Sequence, residues 1–351
     1  MNNPARELRL LQAIAGGQHG GAEGFFVRLA LALKRAGVDQ KLLVRRGRPW
    51  VAELRAGGLA PVELPFGGWA DITTRGAFGR EIAAYAPHVV LTWMNRASHL
   101  CPASGTGHKF THAARLGGYY DLKYYRSCDH LIGNTEDLVR HFKDHGWPPA
   151  RSHYIANFVA AEPAPAAPRA ELSTPDGVPL ILALGRLHAN KAFDLLLRAL
   201  VELPQAFAWI AGDGPLESEL QALARKLGVE ERLRFLGWRD DVAALLAAAD
   251  IFVCPSRIEP LGNVVIEAWA HGAPVVAAAA AGPASLIAPG ETGLLVPLED
   301  APALAVSIRT LIDNPALAAR LADAGRQAYE ATYTEAAIVR RYLEFFEQVR
   351  A

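Results

Sequence analysis

Short, nearly continuous apolar runs alternate along this chain with longer stretches whose apolar positions recur three and four residues apart. In the first half, "LRLLQAIAG", "QKLLVRR", "PVELPF", "HVVLTW", "KFTHAARL" and "HLIGN" read as strands. Runs apolar on both faces suit a parallel sheet covered by helices on both sides. Stretches such as "AEGFFVRLALALKRAG" and "TEDLVRHFKDHGW" supply the amphipathic period of those helices, and Thr135 stands where an N-cap belongs, ahead of two acidic residues. The alternation predicts a doubly wound α/β domain over residues 1–158.

Residues 159–178, "VAAEPAPAAPRAELSTPDGV", are rich in Ala and Pro with few large apolar groups, the composition of a linker. The alternation then restarts. "PLILALGRL", "FAWIAGDG", "LRFLGW", "DIFVCPS", "PVVAAA" and "GLLVP" read as strands, separated by helical stretches that include "FDLLLRALVEL" and "NVVIEAWAHG". A second α/β domain is expected over residues 179–330. A C-terminal helix over 331–351 is expected to pack back on the first domain. Two such Rossmann-like sheets are expected to face each other across a cleft, because α/β proteins bind ligands at the carboxyl ends of their strands.

At 351 residues the chain is too long for one small core. Its net charge of zero hides an asymmetry: residues 1–157 carry 20 Lys/Arg against 12 Asp/Glu, and the remainder 16 against 24. A basic first domain suits an anionic partner, of which a membrane surface or a phosphorylated glycan is favoured here over nucleic acid; two domains of complementary charge without a partner is the alternative. Lys41, Arg45, Arg46 and Arg48 are candidate surface contacts. Cys101, Cys128 and Cys254 are scattered, which argues against a disulfide framework or a zinc ribbon. No run of 18 apolar residues occurs and the N-terminus lacks the pattern of a signal peptide. The expected location is the cytoplasm, with any membrane contact peripheral.

Several loops could carry chemistry. "AGGQHGGAE" joins the first strand to its helix, where glycines allow close backbone approach and a helix N-terminus favours an anion; Gly20 and Gly21 are the candidates. The spacing GG-x-x-GG is not the G-x-G-x-x-G of dinucleotide sites, which weighs against a dehydrogenase. In "LGRLHANKAFD", Arg186 and Lys191 lie between strand and helix, a natural clamp for a diphosphate. Trp238 and Arg239 could line a nucleobase pocket. Asp240 stands where an N-cap is wanted and Asp241 favours the helix dipole, so the acidic pair reads as a helix start and not a metal site. In "SRIEPLGNVVIEAWAHG", Glu259 precedes a Pro-Leu-Gly turn, while Asn263, Glu267 and His271 share one helix face. Carboxylates in such apolar surroundings need partners.

These residues resemble the retaining glycosyltransferases of the GT-B fold, family 4. Glu259 and Glu267 match its E-x7-E element, and "GRLHANK", "IAGDGP", "LRFLGW", "ADIFVCPS" and "GETGLLVP" follow in the family's order across roughly residues 180–300. The first half matches through "GGAE", and "LGGYYDLKYYRSCDHLIGNT" is similar to members that build envelope glycans and lipopolysaccharide. The resemblance implies a nucleotide-diphosphate sugar as donor, with UDP or GDP as its nucleotide, and no metal or other cofactor. Arg186 and Lys191 would bind the diphosphate, Glu267 the ribose and Glu259 the transferred sugar. The backbone from Leu261 through Gly262 and Asn263 to Val264 would touch the distal phosphate or sugar, and Gly20 and Gly21 the phosphate from the other domain. The expected acceptor is a glycan or a lipid-linked glycan. One departure is that Gly117 and Gly118 stand where many members carry a histidine near the sugar. Asp121, His112 and Asn95 are the candidate substitutes, Asp121 foremost. The alternatives are a soluble GT-B enzyme acting on a nucleotide-sugar or sugar phosphate, and a non-catalytic scaffold on the same fold.

Overall fold

The structure is a computed structural model and describes residues 8–18, 20–67, 71, 73–103 and 108–350. The chain divides into two units, residues 1–157 with 335–351, and residues 158–334.

The first unit is built on a seven-stranded parallel sheet. Its strands are β1 (Arg9–Ile14), β2 (Asp39–Arg45), β3 (Val62–Leu64), β4 (Val89–Trp93), β5 (Thr111–Leu116), β6 (His130–Gly133) and β7 (Ser152–Tyr154), in the order β3-β2-β1-β4-β5-β6-β7. Sequence periodicity missed β7. It is three half-buried residues at the sheet edge, too short and too polar to show an apolar run. Thr135 caps the helix Glu136–Asp144 as expected, accepting from the Leu138 amide at 3.1 Å.

The C-terminal helix Glu335–Val349 belongs to this first unit. Arg35 grips Glu335 through two bonds of 2.7 Å, and the Arg115 Nε donates to the Tyr342 hydroxyl at 2.8 Å. Arg115 is fully buried in β5, its guanidinium also bonded to Asn157 and lying 4.5 Å from the Phe25 ring centroid and 4.7 Å from that of Trp93. Two aromatic faces and neutral acceptors thus hold a charge that burial would otherwise penalise.

The second unit carries β8 (Leu180–Leu184), β9 (Phe207–Ala211), β10 (Leu233–Gly237), β11 (Ile251–Cys254), β12 (Val275–Ala278) and β13 (Leu294–Val296), all parallel, in the order β10-β9-β8-β11-β12-β13. The Ala/Pro-rich segment is fastened to this unit. The Ala167 amide donates to the Ala244 carbonyl at 2.9 Å, Arg169 bonds the carbonyls of Ala248 and Val178, and the Trp209 indole donates to Thr174 at 2.8 Å. Backbone bonds and one arginine do here what large apolar side chains do elsewhere, which is why composition alone reads as a linker.

Candidate functional site

In each sheet the strand order reverses once, between β1 and β4 in the first unit and between β8 and β11 in the second. Loops leaving two such strands diverge to opposite faces and leave a crevice at the carboxyl edge, where open α/β sheets take ligands.

The loop after β8 carries Arg186 and Lys191. It is pinned at its start, where the Leu187 amide donates to the Asp213 carbonyl at 2.7 Å and the Leu216 amide to the Leu187 carbonyl at 3.1 Å. Glycine is required on both sides of this approach. A Cβ on Gly214 would stand 2.5 Å from the Leu187 carbonyl oxygen, and one on Gly185 would stand 3.0 Å from Cε of Lys191. Lys191 therefore lies flat along the end of β8, and its Nζ bonds the carboxylate of Glu259, 68 residues further on. Glu259 is buried and also lies 3.5 Å from the Ser256 hydroxyl. The partner that a carboxylate needs in apolar surroundings is thus a cation from the facing loop.

Sequence reasoning passed over Arg257, the residue that joins these two loops. Its guanidinium grips Asp194 at 2.7 and 2.8 Å, reaches Glu299 at 3.0 Å and donates to the Ala189 carbonyl at 3.1 Å. Its amide donates to the Asn190 carbonyl at 2.8 Å. The hydrogen bonds from Arg257 hold the Asp194 carboxyl below the usual carboxylate range, and those from Asp194 raise Arg257. Its adjacency to Glu259 was the available signal, but partners 63 and 42 residues away are invisible to spacing.

Beyond Glu259 the chain turns through Gly262, whose φ of 68° is a left-handed conformation that glycine adopts without strain. The helix Asn263–Ala270 starts there, with the amides of Val265 and Ile266 both donating to the Gly262 carbonyl. Gly282 closes the turn from behind. Its amide donates to the Glu259 carbonyl at 2.7 Å, and a Cβ there would stand 2.5 Å from that oxygen. A helix N-terminus carries partial positive charge, so this turn offers an anion a favourable field next to Lys191.

The remaining candidates of this unit lie on the same sheet edge at varied depth. Arg186 is exposed, and its guanidinium has no partner among the described residues. Leu261, Asn263, Val264 and Glu267 are half-buried in and after the turn. Trp238 and Arg239 follow β10, two strands from β8; Trp238 is 78% exposed, and Arg239 is committed to Asp241 through bonds of 2.7 and 2.5 Å. This corrects the expected helix start. Asp241, not Asp240, occupies the N-cap position, and its carboxylate binds Arg239 instead of capping the helix.

In the first unit, Gly20 precedes the helix Gly21–Arg35 and Gly21 opens it. This loop holds a carboxylate of its own. Glu23 is buried and accepts from the Gly17 amide at 2.6 Å, and a Cβ on Gly16 would stand 2.7 Å from its Cγ. A Cβ on Gly20 would collide with the same carboxylate, whereas one on Gly21 would meet nothing within 4 Å. Of the histidine substitutes, His112 is buried within β5, its Nδ1 donating to the Ser127 carbonyl at 3.2 Å and its Nε2 lying 2.9 Å from the Thr92 hydroxyl. That is a structural role. Asp121 is exposed, accepts from the Lys123 amide at 2.9 Å and pairs with the Lys123 ammonium at 2.7 Å, the posture of a turn cap. Asn95 lines a cavity at the carboxyl edge, beside Arg96 and His99. Among the described residues no group of three or more His, Cys, Asp or Glu is placed to hold a metal ion.

Two parallel sheets, each with its ligand crevice, and a cation–carboxylate pair ahead of a helix N-terminus define the class: a two-domain GT-B glycosyltransferase. The comparisons agree. The model of Glycosyltransferase Family 4 matches residues 19–162, and that of Glycosyl transferases group 1 matches residues 178–314. The lipopolysaccharide core biosynthesis glycosyltransferase LpsD of Rhizobium meliloti is 36% identical over 339 residues, 95% of this chain and 96% of that protein. The chain belongs to this glycosyltransferase family. Among solved structures, a glycosyltransferase from Rickettsia africae matches 97% of this chain and 98% of its own, with a TM-score of 0.88 at 21% identity. Anabaena HepE in complex with UDP matches 97% of this chain and 100% of its own, with a TM-score of 0.85 at 21% identity.

Proposed function

We propose that this protein is a retaining, metal-independent hexosyltransferase that moves a sugar from a UDP- or GDP-sugar to a growing envelope glycan, the lipopolysaccharide core foremost. The observation that carries the reading is the Lys191–Glu259 pair at the crevice between β8 and β11, directly ahead of the helix Asn263–Ala270. The near full-length likeness to LpsD supports the acceptor class, and the likeness in fold to a UDP complex is compatible with the donor class.

The chemistry follows from charge. Cleaving the anomeric bond builds positive charge on the sugar and negative charge on the departing phosphate. Lys191 and the helix N-terminus are fixed donors for that phosphate, and such preorganised groups each contribute roughly 3 kcal/mol to transition-state stabilisation; Arg186, exposed at the same edge, adds a further cation. They do the work a divalent cation does elsewhere. Glu259 orients Lys191 and accepts from sugar hydroxyls, Glu267 accepts from the ribose, and the backbone of Leu261 to Val264 meets the distal phosphate. Trp238 and Arg239 flank the base, and Gly20 and Gly21 approach the phosphate from the first domain. The leaving phosphate oxygen takes the acceptor's proton, so no protein base is required, and Asp121 is a helper on the acceptor side at most. No helix among the described residues is long and apolar enough to cross a membrane. The basic first half suits peripheral attachment at the cytoplasmic face of an anionic membrane.

The test is transfer from UDP-glucose, UDP-galactose and GDP-mannose to a deacylated core oligosaccharide in the presence of EDTA, with the new linkage assigned by NMR. An α-linked product from an α-linked donor, formed undiminished in chelator, is the expected result. A β-linked product, or activity restored only by a divalent cation, contradicts it.

A further inference from the structure

Arg257 is built into both loops that carry the Lys191–Glu259 pair. Its amide and that of Ile258 both donate to the Asn190 carbonyl, at 2.8 and 3.1 Å, and its Nη1 donates to the Ala189 carbonyl at 3.1 Å. These two carbonyls belong to the residues just ahead of Lys191. Just beyond Lys191, in the first turn of the helix Phe193–Val201, Asp194 accepts from Nη1 and Nη2 at 2.7 and 2.8 Å. The other edge of the same guanidinium takes Glu299, through Nε at 2.5 Å and Nη2 at 3.0 Å. Glu259 stands in the same short loop as Arg257, so one residue brackets Lys191 from both sides and anchors its partner.

The backbone that this clamp holds is costly. Ala192 at φ 53° and Glu299 at φ 59° have left-handed conformations that residues with a Cβ avoid. Such strain persists where the surrounding structure over-determines it. Arg257 supplies that determination: it fixes Asn190 and Asp194 on the two sides of Ala192, and it grips Glu299 directly. The Arg257 and Glu299 side chains are 29% and 55% exposed, and ion pairs that water reaches add little to global stability. A clamp that adds little stability yet holds two strained turns serves the geometry of the loop. Lys191 is the residue that depends on this geometry, because its four-carbon stem is flexible beyond a fixed backbone. A displacement of about 1 Å in a positioned group can cost about a hundredfold in rate.

We infer that Arg257 is a positioning residue for diphosphate binding. It acts through Lys191: the fork on Asp194 and Glu299 and the bonds to Ala189 and Asn190 fix where the Lys191 ammonium stands, and so how tightly the second unit holds the diphosphate of its nucleotide. The inference rests on the transferase reading, in which Lys191 meets that diphosphate. An arginine is required, because a lysine in its place would offer donors from a single point and could not fork onto two carboxylates while reaching a carbonyl.

The experiment is a double-mutant cycle on the full chain, read as the dissociation constants of UDP and GDP, with melting temperatures of the free proteins to establish that each variant is folded. The nucleotide that binds wild type more tightly is carried through the cycle. Lys191→Met should weaken it at least tenfold. Arg257→Gln should weaken it about tenfold when Lys191 is present, and less than threefold in the Lys191→Met background. Asp194→Asn, of the same shape with one acceptor removed, should show the same dependence on Lys191 with a smaller loss, and stands in if Arg257→Gln does not fold. A role in stability alone would lower the melting temperature and leave affinity unchanged, or weaken it by the same factor in both backgrounds. Either outcome overturns this inference and leaves the transferase reading standing. Wild-type affinity in Lys191→Met, or no binding of either nucleotide by wild type, takes down the donor site and this inference with it.

Discussion

Glu259 and His112 show how burial decides charge one residue at a time. Glu259 keeps a partner because Lys191 is delivered to it from the neighbouring loop. His112 is deeper, and burial pushes its pKa down to about 4 from an ordinary 6.5. A histidine depressed in the fold stays neutral there while the unfolded chain takes up a proton below about pH 6.5. Its contribution to stability is therefore complete above the unfolded value and is lost as pH falls from about 6.5 toward 4. His153, also lowered to about 4 by burial and by His130, adds in the same direction, discounted for its partial exposure. Denaturant melts should show stability falling by on the order of 2 kcal/mol between pH 7 and pH 4.5 from His112 alone, and His112→Asn should flatten that slope. A slope unchanged in the variant would remove His112 from the account. The sequence offered His112 as a catalytic substitute because a histidine near a strand end looks available. Only the fold shows that its ring points into β4 and not toward a ligand.

At the level of elements, the strand-to-helix turns were legible and their supports were not. Apolar runs located twelve of the thirteen strands among the described residues, and the Pro-Leu-Gly turn announced the helix that begins at Asn263. The turn depends equally on Gly282, which no local pattern marks, because its role is to let a separate helix, Ala281–Leu286, approach the Glu259 carbonyl. Gly282→Ala would set a methyl against backbone atoms on both sides of the turn. It should cost on the order of 2 kcal/mol in stability and weaken donor affinity about tenfold, measured by denaturant melts and donor titration. Donor affinity as in wild type would mean that the turn does not position the ligand. Arg257 has the same lesson. It was skipped beside a conspicuous glutamate because its purpose lies in Asp194 and Glu299.

The whole molecule divides its labour by charge. The first half is basic and the second acidic. The second unit presents Lys191, Arg186 and a helix N-terminus at the β8/β11 crevice. Composition revealed the asymmetry and the family motifs revealed the second crevice. The central claim is that the second crevice binds a nucleotide-sugar. It is tested most directly by melting temperatures of wild type and Glu267→Ala across a panel of UDP- and GDP-sugars. A ligand that binds only the folded state raises the midpoint with concentration. We expect one donor to do so for wild type, with the rise clearly reduced in a folded Glu267→Ala. No rise with any donor, with or without core oligosaccharide, or an equal rise in both proteins, would contradict the account.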